Sequence, residues 1–103
     1  MLVNYIIMRT IYIIIYDLRN PGKDYNALYD AIKGLSPDWQ HPLESTWFIS
    51  LTGVSSAQAI FDRLRTCIDD NDNLFIVNMS KPADHQGWLP KSFWQWITTN
   101  LQN

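Results

Sequence analysis

The sequence predicts an α+β domain, with four antiparallel strands and two helices packed on one face of the sheet. Three observations carry that expectation. A run of six apolar or aromatic residues, Ile11-Tyr12-Ile13-Ile14-Ile15-Tyr16, ends abruptly in Asp17. Two segments, 24–35 and 56–69, place apolar residues at helical spacing. Between and after them lie stretches of period-two alternation.

The first run reads as a strand covered on both faces, because β-branched and aromatic side chains suit a pleated surface and no polar residue interrupts them. It is too short to cross a bilayer, and Asn20-Pro21-Gly22 stops it. Tyr25, Leu28, Tyr29, Ile32 and Leu35 then share one helical face. Asp24 is expected as its N-cap or first-turn acid, Lys33 in its last turn and Gly34 as its stop. Trp39–Leu43 is a short strand restricted by Pro42, which has no amide hydrogen to give a ladder. From Ser45 to Leu51, Ser45, Trp47, Ile49 and Leu51 alternate with Thr46, Phe48 and Ser50. The two pieces form a bulged or bent hairpin. Ser55 and Gln58 have capping-box spacing before the stripe Ile60, Phe61, Leu64, Cys67, Ile68. The acidic turn Asp69-Asp70-Asn71-Asp72 ends that helix. Phe75, Val77 and Met79 then oppose Leu74, Ile76 and Asn78 in a last strand. The order is strand, helix, strand, strand, helix, strand, the ferredoxin-like βαββαβ arrangement.

A polar loop, 80–86, leads to Gly87-Trp88-Leu89-Pro90 and an aromatic helical segment. There Phe93, Trp94, Ile97 and Leu101 share a face with Trp96 at its border, and Pro90 suits the first turn. The sheet face opposite the two helices needs a cover, which this segment or a second copy of the chain would supply.

Composition bounds the function. The chain has 103 residues, 47% hydrophobic and 17% charged, with a formal net charge of −2. That suits one globular domain over 9–103 and argues against a broad nucleic-acid surface, so duplex DNA binding is expected to be weak. Any anion site would be local, around Arg9, Arg19, Lys23 or Lys33. One cysteine, Cys67, allows no intrachain disulfide and no cysteine-based metal site, which fits a reducing cytoplasm. Residues 1–8 lack the basic and small-residue flanks of a signal peptide. They read as a mis-set start, a tail or an extra edge strand. No membrane association is expected.

Asp17 is the sharpest candidate residue. A strand-end carboxylate is a hard oxygen ligand for Mg²⁺ or Mn²⁺; the plainer reading is a turn cap. Arg19 could clamp a phosphate or pair with Asp17 or Asp24 on the surface. Glu44 and Ser45 could add a ligand and a donor beside the bent hairpin, or Ser45 could only satisfy backbone at the bulge. His41 could act as a general base, though an ordinary loop histidine is the simpler account, and His85 has no ligand spacing. Asp69, Asp70 and Asp72 lack the glycine and closing glutamate of a calcium loop and read as a solvated turn. The tryptophans could stack bases, but without flanking basic residues Trp47 reads as core and Trp88, Trp94 and Trp96 as cover for a sheet or interface.

Tyr16-Asp17-Leu18-Arg19-Asn20-Pro21-Gly22-Lys23-Asp24-Tyr25, Leu43-Glu44-Ser45-Thr46-Trp47 and Gly87-Trp88-Leu89-Pro90 together resemble the CRISPR-associated Cas-two superfamily. The resemblance spans about residues 9–99 and is closest to short bacterial SinR-family Cas-two-like proteins, with VapD toxins more distant. It implies a ferredoxin-like fold and a homodimer in which the two Asp17 carboxylates approach across a cleft. Taken with the residues themselves, three function classes stay open. One is a non-catalytic module that docks or bridges a protein partner in phage defence or mobile-element biology. Another is a Mg²⁺- or Mn²⁺-dependent endonuclease on RNA or single-stranded DNA, with Asp17 as ligand and Ser45 assisting. The third is a binder of a small anionic ligand such as a nucleotide, through Tyr16, Arg19, Lys23 and Glu44. The chain departs from the Cas-two pattern at Leu43, where glutamine is usual, and in lacking basic flanks.

Overall fold

The computed structural model describes residues 9–53, 55–79 and 85–101. The readings made for 1–8 and for residues 80–84 of the polar loop lie outside them. In chain order the elements are β1 (Arg9–Asp17), α1 (Asn26–Leu35), β2 (Trp39–Leu43), β3 (Thr46–Thr52), α2 (Ala57–Arg65), β4 (Asn73–Met79) and α3 (Lys91–Asn100). The four strands form one antiparallel sheet in the order β2-β3-β1-β4. This is the α+β, ferredoxin-like arrangement, with the isoleucine-rich β1 at its interior.

Alternation along β1 divides its side chains between two apolar clusters. Tyr12, Ile14 and Tyr16 join Trp47 and Ile49 of β3 against Leu28 and Ile32 of α1 and Ile60 and Leu64 of α2. Ile11 joins Met79 of β4 against Phe93 and Ile97 of α3. A continuous apolar strand is thus explained by helices on both sides of the sheet.

The second cover is only partial. Three cross-strand rows lie on that face: Ile11 with Met79, Ile13 with Val77, and Ile15 with Phe75. α3 packs over the first row, with Ile13 and Phe48 at its margin. Ile15 is 37% exposed and Phe75 65% exposed. Apolar surface therefore stays open at the end of the sheet where Asp17 lies. Trp94 and Trp96, both on α3, pack partly buried against this second cluster, whereas Trp88, expected to cover a sheet or interface, is 99% exposed.

Local details correct the sequence reading. α1 starts at Asn26 with Tyr25 at the N-cap position, and Asp24 instead accepts a hydrogen bond from the Asn26 amide at 2.8 Å. Gly34 lies inside α1. The helix stops at Ser36, which turns extended ahead of Pro37, and its hydroxyl donates to the Ser50 carbonyl at 2.7 Å. α2 is capped by Ser56 rather than Ser55: Ser56 has β-region backbone and accepts from the Ala59 amide at 3.0 Å. Gln58 reaches forward to Asp62 at 2.8 Å, one helical turn on, and so takes no part in a capping box. α2 ends at Arg65, and Phe61 lies off its buried stripe, 36% exposed. Pro90 sits at the N-cap position of α3, where its carbonyl accepts from the Phe93 amide at 3.0 Å.

β2 and β3 form the expected hairpin, joined by the two-residue turn Glu44-Ser45, with a register shift between Gln40 and Leu43. Ser45 thus belongs to the turn rather than to β3. β2 is an edge strand, where Pro42 costs the sheet little. Among the described residues no helix is long and apolar enough to cross a membrane.

Candidate binding groove at the end of the first strand

Where β1 runs out, the chain makes a tight turn. The Lys23 amide donates to the Asn20 carbonyl at 3.1 Å, and Gly22 takes φ +87°. Proline at the second and a left-handed glycine at the third position describe a type II turn. This turn, the start of α1 and the Glu44-Ser45 turn enclose a groove of about 730 Å³. Tyr16, Asp17, Lys23, Glu44 and Ser45 all line it, as do Asn20, Tyr25 and Tyr29. The first five are candidate site residues in the sequence; Arg19, the sixth, enters through its contact with Asp17.

Tyr16 fixes the groove floor. Its hydroxyl donates to the Glu44 carbonyl at 3.0 Å and accepts from the Trp47 indole N–H at 2.9 Å, tying β1 to the hairpin turn. The Tyr16 amide donates to the Ser45 carbonyl at 3.1 Å, a backbone contact that continues the pairing of β1 with the hairpin. Burial raises the Tyr16 phenol pKa, against the opposing pull of the Trp47 hydrogen bond. The phenol is therefore no base at neutral pH.

Asp17 is held by Arg19. Nε and Nη2 of the guanidinium approach the same carboxylate oxygen at 3.0 and 2.8 Å. Both side chains are more than half exposed, so the pair adds at most about 1 kcal/mol to stability. This is the surface pairing the sequence allowed. It places a guanidinium on one carboxylate oxygen, Oδ2.

The acidic turn is not merely solvated. Asp72 is 8% exposed and accepts four kinds of hydrogen bond. The Arg19 amide donates to it at 2.7 Å, the Asp69 amide at 2.8 Å, the Tyr25 hydroxyl at 2.9 Å and the Asn20 amide group at 3.5 Å. Desolvation pushes the Asp72 pKa up, but the two backbone amides and the Tyr25 hydroxyl outweigh it and hold the pKa below the usual carboxylate range. Asn20 also donates to Asp69 and Asn71, each at 2.8 Å. Lys23 donates to Asp69 at 2.6 Å, and this hydrogen bond raises the lysine pKa. The loop after β1 is in this way laced to the turn before β4. Its anchors were invisible in the sequence because each partner is about fifty positions away.

Tyr29 was read only as part of a helical stripe, and Tyr25 as part of that stripe and of the resembling stretch, with no site role given to either. One turn apart at the N-cap and in the first turn of α1, they supply the aromatic wall of the groove. The Lys23 ammonium lies 5.0 Å from the centre of the Tyr25 ring. Tyr29 stacks at 6.2 Å on Trp47 and contacts Tyr16 at 6.3 Å. Trp47 is core, as expected. His41 lies in β2 rather than in a loop; its ring stacks 3.8 Å from Trp47 and Nε2 is 3.0 Å from the Glu44 carbonyl.

A Mg²⁺ or Mn²⁺ ion wants several oxygen donors converging on one point. Among the described residues no group of three or more His, Cys, Asp or Glu is placed to hold a metal ion. Asp17 presents one carboxylate, already paired with Arg19, so one chain does not fit the ion. Protein-family models and curated proteins were both compared with the chain, and neither gives a match.

Proposed function

We propose that this chain is a Cas-two-like homodimeric docking module without catalytic activity of its own, acting in phage defence or mobile-element biology. The observation that carries the reading is the uncovered apolar end of the second sheet face, where Ile15 and Phe75 stand directly opposite one another and exposed. Val77 and Ile13 continue the patch toward α3. A second copy laid on this face would bury apolar surface that water otherwise meets, and about 800 Å² per subunit is ordinary for a stable pair. The ion pair on Asp17 supports a docking role over hydrolysis. Arg19 and Lys23, the cations a small anionic ligand would need, are both engaged by carboxylates. That argues against the nucleotide-binding reading.

A second reading keeps one observation in its favour. Asp17 follows Ile15 on the same face by strand alternation, so pairing through that face would bring two Asp17 carboxylates toward each other. Two such carboxylates could share a Mg²⁺ or Mn²⁺ for endonuclease chemistry on RNA or single-stranded DNA.

Light scattering at micromolar to high-micromolar concentration tests the docking reading. Wild type is expected at twice the 12.1 kDa chain mass and Phe75→Glu at the chain mass with its fold intact. A wild-type protein that stays monomeric throughout that range overturns the homodimer.

A further inference from the structure

The groove beside Asp17 has walls and charge that point to its guest. Tyr16, Tyr25 and Tyr29 supply aromatic surface, and the charged residues among its described lining are Asp17, Glu44 and Lys23. Lys23 is drawn toward Asp69 at 2.6 Å, and the Asp17 charge is met by Arg19. No ion pair to the Glu44 carboxylate is found among the described residues. Asp69 and Asp72, just behind the loop, add further negative charge. An anion would meet this carboxylate excess, whereas a cation would meet both carboxylates and ring faces. The Tyr25 ring is already engaged by the Lys23 ammonium at 5.0 Å, which leaves Tyr29 as the ring offered to a guest cation.

We propose that this groove receives the guanidinium or ammonium head of a basic side chain, presented by a segment of a partner polypeptide. The cation sits between the Glu44 carboxylate and the Tyr29 ring. This deepens the docking reading and rests on it, since it names the chemistry of the partner. Charge complementarity favours a polypeptide over a nucleic acid: the chain is net −2, and four of its basic side chains are already in ion pairs.

Amide-resolved NMR titration tests it, with the capped peptide acetyl-Gly-Leu-Arg-Leu-Gly-amide as probe. Its counterparts carry citrulline or glutamate in place of arginine, and a hexauridylate RNA is titrated at the same ionic strength. The expected result is saturable shifts at Tyr16, Asp17, Tyr25, Tyr29 and Glu44, with binding about five-fold weaker or worse for citrulline. Glu44→Gln weakens the arginine peptide by a similar factor; it removes one exposed carboxylate and keeps the backbone carbonyl that Tyr16 uses. Tyr29→Leu removes the ring face and acts in the same direction. Citrulline binding as well as arginine, shifts confined elsewhere, no saturable shift at about 5 mM peptide, or RNA occupying the groove in preference would each overturn the proposal. Light scattering on the same samples separates the two readings. A dimer that ignores the peptide overturns only the cation groove, and a monomer that binds it overturns only the homodimer.

Discussion

The Tyr25 hydroxyl donates to the Asp72 carboxylate from forty-seven residues away, 2.9 Å from one oxygen and 3.1 Å from the other. With the Arg19 and Asp69 amides on the same carboxylate, this contact fixes both the loop after β1 and the first residue of α1's cap. The groove's shape depends on it. Tyr25→Phe removes one buried, charge-assisted hydrogen bond and is expected to lower stability by about 1–2 kcal/mol. Urea unfolding followed by circular dichroism measures it. A loss under a few tenths would mean the two amides suffice.

The same carboxylate gives the fold an acid dependence. Its folded-state pKa is depressed, so its contribution is fully present above the unfolded value near 3.9 and lost as pH falls through the folded value. Urea midpoints taken from pH 6 downward are expected to hold until about pH 4 and then fall. Asp72→Asn is less stable at neutral pH, because its amide group cannot accept from every donor around it, and its midpoint changes less below pH 4. Equal slopes for wild type and variant in that window would assign the acid dependence to other carboxylates.

Much of the fold was legible because the informative residues are close in sequence. Ile11 to Tyr16 declared a strand covered on both faces, and the alternation about Trp47 and Ile49 placed the core face of β3 correctly. Where only spacing distinguished neighbours, as with Ser55 and Ser56, the backbone conformation decided and the sequence did not. That α3 covers only the Ile11 end of its face depends on where the chain returns after β4, which no periodicity records. In the groove, Asp17 was legible as a strand-end carboxylate, Glu44 and Ser45 by their place beside the bent hairpin, and Lys23 by its charge. Tyr29 and Asp72 were not, and Tyr25 was given no site role, since a helical stripe and an acidic turn have ordinary explanations until their long-range contacts are known.

Gly22 offers a backbone test of the groove. At φ +87° an L side chain is strained, although open space surrounds the position a Cβ would take. Gly22→Ala is therefore expected to cost about 1 kcal/mol through the backbone alone. A larger loss, read in the same urea titration, would show that the turn is coupled to the Asp72 lacing.

Duplex DNA affinity is expected to be weak. Arg9, Arg19, Lys23 and Arg65, half of the eight basic residues, are each paired with an aspartate, and the chain as a whole is net −2, so phosphate neutralisation is limited. Fluorescence anisotropy at physiological salt is expected to give a Kd no tighter than about 1 μM for random duplex. Submicromolar binding would mean that these pairs open readily to phosphate.

Asp17 separates scaffold from enzyme. On the docking reading, Asp17→Asn loses an exposed ion pair with Arg19, which costs at most about 1 kcal/mol. Wild type and variant then both leave labelled single-stranded RNA, single-stranded DNA and duplex DNA uncut in Mg²⁺ or Mn²⁺, and neither ion shifts the melting temperature. On the nuclease reading, wild type cuts at least one substrate only with metal. The substitution then removes a ligand charge from each subunit and lowers the rate by orders of magnitude. A fall of only about ten-fold, or 1.4 kcal/mol, would be too small for a lost metal ligand. The ion pair adds a diagnostic of its own. A metal that displaces Arg19 frees the guanidinium, so Arg19→Gln would tighten metal binding if Asp17 is a ligand and leave it undetectable if Asp17 is not. The docking reading expects the second result, with no cleavage by any of the three proteins. Metal-dependent cleavage by wild type that Asp17→Asn abolishes while the dimer persists would overturn it.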